Sequence, residues 1–136
     1  MGDQIMTAKG RLAFPFLVTP RPAQDEGKQP KYEAVLLLDP KDCPPLKVIV
    51  DAAIRAKYGD KPPTGIKMPW IKGSDKPQLA GYDGKIAVSV STRIKPPIVG
   101  PDRKPITDAT ECYGGRWARM VIEAWCWEYM GKRGVA

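Results

Sequence analysis

The chain has 136 residues, 43% apolar and 27% charged, which is material for one domain with one core. No apolar run approaches the roughly 18 residues that a membrane-spanning helix needs, and residues 1–10 contain no apolar signal core. There are 22 basic and 15 acidic residues, for a net charge of +7, and histidine is absent. That excludes Ser-His-Asp and Cys-His catalysis and removes the commonest metal ligand.

Fifteen prolines and 13 glycines argue for short strands joined by turns rather than a helical bundle. Cys43, Cys112 and Cys126 are odd in number and lack a CxxC spacing. They read as reduced thiols in a cytosolic protein, not as a zinc site or a disulfide framework. The positive charge is uneven: residues 61–100 carry seven basic and two acidic groups, whereas the flanking segments are each near balance. Such a field attracts polyanions, although charge alone also fits a solvated basic face.

In chain order, residues 9–19 alternate, with Gly10, Leu12, Phe14, Phe16 and Val18 on the parity expected to face the core. Pro15 cannot donate to a ladder and marks an edge or a bulge. Residues 20–30 read as a polar hairpin loop, and residues 31–39 as a strand buried on both faces over part of its length. Leu46, Ile49, Val50, Ala53 and Ile54 fall at helical spacing after Pro44-Pro45 and before Gly59, which predicts a helix over about residues 45–58. Lys47, Asp51 and Arg55 lie on its wet side.

Residues 59–84 form a long irregular connection that holds Trp70 and Tyr82 amid lysines. Residues 85–95 alternate again, with Ile86, Val88, Val90, Thr92 and Ile94 inward. Ser89, Ser91, Arg93 and Lys95 point outward as a hydroxyl-and-cation row suited to phosphates. A short hairpin arm follows, from Ile98-Val99 through a turn at residues 100–105 to Ile106.

Residues 116–130 fit period two better than a helix. Ala118, Met120, Ile122, Ala124 and Cys126 make a small apolar row. Trp117, Arg119, Val121, Glu123, Trp125, Trp127 and Tyr129 make the opposite one. A row of tryptophans facing water calls for a ligand, and nucleobases, each with a π-face, supply one. Packing of the same rings beneath the helix or the long loop, as a second core layer, is the competing reading. Catalysis has little support: paired carboxylates occur only trivially, and there is no P-loop motif, GxGxxG or calcium-loop spacing.

The segments GRLAFPFLVTP, KYEAVLLLDP, GKIAVSVSTRIKPPIVGPDRKPI, ECYGGRWARMVIEAWCWEY and GKRGVA, in this order, resemble a family of bacteriophage single-stranded DNA-binding proteins with an OB fold. The resemblance spans nearly the whole chain, and the shared order is more specific than any one motif. It implies a mainly β, OB-fold-like, five-stranded antiparallel barrel with one inserted helix, in a single domain over residues 1–136. It also implies non-enzymatic, sequence-tolerant binding of single-stranded DNA in phage replication or recombination, in the cytoplasm of the infected host.

The contacts expected on this reading are Trp70, Tyr82, Arg93, Lys95, Arg103, Trp117, Arg119, Trp125 and Trp127. No cofactor, metal or membrane is implied. Double-stranded DNA would be a weaker ligand, and self-association is left open. Chains of this kind continue past the Gly-Val-Ala end, often into an acidic tail. This sequence stops at Ala136 with Lys132-Arg133 nearby, so recruitment of replication partners by a tail does not carry over. The alternative is a non-enzymatic phage structural or protein-interaction module that uses the aromatic face.

Overall fold

The computed structural model describes residues 4–21, 30–76, 78–79, 81–129 and 132–135. Its strands are β1 (Gln4–Met6), β2 (Gly10–Arg21), β3 (Lys31–Leu38), β4 (Trp70–Lys72), β5 (Ile86–Thr92), β6 (Trp117–Ala118), β7 (Val121–Glu123), β8 (Cys126–Tyr129) and β9 (Lys132–Val135). The one α-helix among the described residues, α1, spans Pro44–Tyr58. The expected loop over residues 20–30 falls largely outside the described residues. No described helix is long and apolar enough to cross a membrane.

Five strands form an antiparallel sheet in the order β4-β5-β3-β2-β6. β1 pairs with β7, and β8 with β9. The five-stranded antiparallel barrel expected from the sequence is therefore corrected to an open sheet with two accessory ribbons. β4 and β6 are its two edges and do not pair with each other. Lys67, just before β4, bonds instead to β9: its N–H donates to Arg133 O (3.0 Å) and its carbonyl accepts from Val135 N (2.8 Å).

Opposite residues on paired strands share a face. Leu12, Leu36, Val88 and Trp70 line up across four strands on the inner face. With Ala34, Leu38 and Leu46 they form the main core, in which Leu36 is fully buried. Each such leucine contributes about 1.5–3 kcal/mol by leaving water. α1 seats Leu46 in this cluster and Ile49, Val50 and Ile54 in a second one, with Ala124 and Val135. Prolines at its first turn need no N–H partner there. Gly59, at φ 70°, stops it and donates its N–H to Arg55 O.

β3 is buried on both faces, as its apolar run implies. On the outer face Ala13, Leu37, Ala87 and Tyr82 form a small third cluster. The irregular connection after α1 thus contributes β4 to the sheet edge and Tyr82 as a cover over β3 and β5.

β2 departs from its expected parity. Ala13 opposes Val35, but Phe16 opposes Glu33, so β2 carries one extra residue at Phe14-Pro15. This is a bulge, as Pro15 signalled. Beyond it the faces exchange: Leu17 packs on the core, and Phe14, read as buried, is 56% exposed. β5 also ends earlier than read. The Ile94 N–H donates to Thr92 Oγ1 (3.2 Å), the chain bends, and Thr92 and Ile94 lie exposed rather than inward.

Residues 116–130 do not form one strand. β6 and β7 are separated by a register shift of one residue between the ladders Arg11↔Trp117 and Met6↔Val121. There the Thr7 hydroxyl accepts the Met120 N–H (3.0 Å), and Thr7 N donates to Met120 O. The expected alternation survives the breaks. Ala118, Met120, Ile122, Ala124 and Cys126 pack on the core clusters, while Trp117, Arg119, Val121, Glu123 and Trp125 are exposed.

Candidate functional site

The outer face of the open sheet collects most of the chemistry. Register places Trp117, Arg11, Leu37, Ala87 and Ile71 in one row across all five strands. Ala13, Val35 and Ser89 form the next row, and Phe16, Glu33 and Ser91 the one after. At one end, the Arg11 guanidinium carbon lies 4.6 Å from the Trp117 ring centroid, and Arg11 Nη1 donates to Gly115 O (3.2 Å). Trp117 is itself 56% exposed. An exposed indole paired with a cation offers a ring on which a base can stack.

The exposed row continues in sequence along the broken last strand, there in the β1–β7 and β8–β9 ribbons. Arg119 and Val121 follow Trp117 on the same side, Val121 opposite Met6. Trp125 is exposed. Trp127 is half-buried because its ring lies over Gly134, where a Cβ would come within 2.6 Å of Cζ2. Only glycine allows that approach.

Two expected contacts sit differently from their sequence reading. Tyr82 is not an aromatic in a wet loop: it is 3% exposed, covers Ala13, Leu37 and Ala87, and burial pushes its phenol pKa up. Its ring meets Phe14 edge-on at 6.5 Å between centroids. Trp70 lies on the inner-face row and packs against both large core clusters. The physical reason is pairing, since β4 joins β5 at Trp70↔Val88 and turns the indole toward the helix side.

Arg93 and Lys95 are exposed just past the end of β5. Arg103 is exposed at the tip of the arm, with φ 63°. The arm closes through Ile106 N to Ile98 O (2.8 Å) and Gly100 N to Lys104 O (3.0 Å), as its turn residues implied. Lys85, by contrast, pairs with Asp39 and holds that carboxyl below its usual range.

Arg11 and Phe14 were missed in the sequence. Arg11 lay on the parity read as solvated, and only its position opposite Trp117 marks it. Phe14 lay on the core parity until the bulge turned it out. Phe14 lines a hollow floored by Val35, Ala87 and Ser89, and Arg11 lies in the Ala87 row.

An open antiparallel β-sheet with one helix against its inner face and the Trp117–Arg11 pair on its outer face defines a mainly β class of fold with one inserted helix. Over residues 3–136 the chain matches the family described as Enterobacter phage Enc34, ssDNA-binding protein, and it belongs to that family. Among solved structures it is similar to the single-stranded DNA-binding protein from bacteriophage Enc34 in complex with ssDNA. The TM-score is 0.79 at 22% identity, covering 97% of this chain and 80% of that one. A C-terminal truncation of the Enc34 protein gives 0.75 at 21% identity, covering 97% and 79%. Gp2.5, a single-stranded DNA-binding protein encoded by bacteriophage T7, gives 0.58 at 14% identity, covering 99% and 84%. No curated protein matches the chain.

Proposed function

We propose that this phage protein binds single-stranded DNA without strong sequence preference, during DNA replication or recombination in the infected host cell. The strand lies across the outer sheet face and along the last strand. Trp117 and Trp125 stack bases, with Trp127 at the far end. Arg11, Arg93, Lys95 and Arg119 neutralise phosphates, and Arg103 reaches the backbone from the arm. Trp70 and Tyr82 serve as supports beneath this surface. The observation that carries the reading is the exposed Trp117 ring backed by Arg11 at the head of a five-strand row.

Support comes from physical fit. Stacking is tolerant of sequence because every base has a π-face, and each base contributes about 1–3 kcal/mol. The net charge of +7 supplies the long-range attraction. Intrinsic tryptophan fluorescence, titrated with oligo-dT over a salt series, tests it. Quenching with an affinity that falls steeply with salt is expected. Absence of quenching, or a salt slope near zero, would remove the mechanism.

The protein-interaction reading has one observation in its favour. Met6, Val121 and Trp125 are each more than half exposed along the β1–β7 ribbon and its continuation. The same titration separates the two, because a surface that binds only protein does not respond to oligonucleotide.

A further inference from the structure

We infer that the hollow between Phe14 and Ile71 on the outer sheet face is a socket for a single nucleobase, distinct from the stacking platform on Trp117. The inference rests on the single-stranded DNA reading above and gives that surface a second, recessed mode of contact.

The hollow has a volume of about 320 Å³, at the small end of ligand pockets. Its floor exists because the outer-face residues there are short: Val35, Ala87 and Ser89 leave a depression that taller neighbours surround. Phe14, Tyr82, Leu79 and Ile71 line it, with Met68, Pro69 and Trp70 at the β4 edge. The walls are therefore apolar and partly aromatic, which suits the faces of a planar heterocycle. The Ser89 side chain stands exposed on the floor, and Lys76 lines the same hollow. A hydroxyl can read a polar base edge, and an ammonium can meet the attached phosphate.

Two further observations point to a base rather than an empty dimple. Phe14 adopts φ 47°, a region that bulky side chains rarely enter, within the β2 bulge that leaves it exposed at the rim. Strain of this kind persists where the surrounding structure holds it and clusters at ligand sites. The hollow also lies on the outer face that Trp117 and Arg11 head, beside Ile71 at the far end of their row, with Leu37 and Ala87 between them covered by Tyr82.

The experiment is an abasic scan. Short dT oligonucleotides, each lacking one base at a different position, are titrated against the wild type, Phe14→Ala and Ser89→Phe. Ser89→Phe fills the hollow from an exposed strand position, where an aromatic residue is compatible with the sheet. For the wild type, one internal position should lose affinity by roughly 5- to 150-fold when its base is removed, the range that one base–aromatic contact covers. Both variants should bind the intact oligonucleotide more weakly and lose that positional difference. A wild-type scan with equal losses at every internal position, with binding otherwise intact, overturns the socket alone. A positional difference that persists in Ser89→Phe also overturns it. Failure of the wild type to bind any single-stranded oligonucleotide removes the underlying reading and the socket with it.

Discussion

Arg11 and Trp117 stand directly opposite each other across β2 and β6, with the guanidinium 4.6 Å from the indole centroid. The cation also anchors to Gly115 O, so the pair is tied to the turn before β6. Because Trp117 is more than half exposed, removing it costs the fold little. Trp117→Ala is expected to reduce single-stranded DNA affinity by about 1–3 kcal/mol with an unchanged melting temperature. Arg11→Ala should weaken binding and also free the indole. A fluorescence titration beside a thermal melt reads both quantities.

Trp70 should behave in the opposite way. Its ring bridges the two large core clusters, so Trp70→Ala opens a gap between the sheet and α1. A stability loss of about 2–4 kcal/mol is expected, by analogy with large-to-small changes in cores. Affinity for DNA, measured on the folded fraction, should change little. A denaturant midpoint shift with intact affinity would establish the inner-face role.

The exposed cations should appear in the salt dependence. Each phosphate neutralised on a single strand adds about 0.7 to the slope of log affinity against log salt. Arg93→Ala and Lys95→Ala should each lower the magnitude of that slope by about this amount, nearly independently of oligonucleotide sequence. An unchanged slope would place these side chains off the path of the backbone.

Phe14 carries backbone strain at φ 47°. Glycine enters that region freely, and relief of left-handed strain is worth about 1–2 kcal/mol. Phe14→Gly should therefore hold its melting temperature within a few degrees despite losing a ring, while DNA affinity falls. A large loss of stability would mean that the ring's contact with Tyr82 matters more to the fold than to the ligand.

Asp39 links stability to acid pH. The Lys85 ammonium, through a hydrogen bond and through its charge, holds the Asp39 carboxyl below its ordinary value of 3.8. A lowered folded-state pKa means that the stabilisation is present above the ordinary carboxylate value and is lost as pH falls through the lowered one. The pair ties the end of β3 to the segment that carries Tyr82 over the sheet. Denaturant midpoints measured between neutral and strongly acid pH should fall more for the wild type than for Asp39→Asn.

Much of this was legible in the residues themselves. The helix, its proline start and its Gly59 stop follow from periodicity and end chemistry, and so does the arm that closes at Ile98 and Ile106. The alternation from Ala118 to Cys126 held even where the strand broke, because the side-chain period outlasts the ladder. What periodicity could not show was pairing. A single extra residue at Phe14-Pro15 exchanged the faces of β2, exposing Phe14 and sinking Leu17. Register alone set Arg11 beside Trp117 and turned Trp70 inward. Closure was also illegible: strands that alternate well do not say whether the two edges meet, and here β4 and β6 do not. Tyr82 looked wet by its neighbours in sequence, but its ring covers the short residues Ala13 and Ala87, which are distant in sequence.

The central claim is that the outer face, headed by Trp117 on Arg11, binds single-stranded DNA. The most direct measurement is the affinity of the wild type and of Trp117→Ala for one oligo-dT across a salt series. Steeply salt-dependent binding by the wild type, with the variant weakened about 5- to 150-fold at every salt concentration, is the expected result. Equal affinity for the two proteins, or binding indifferent to salt, would contradict it.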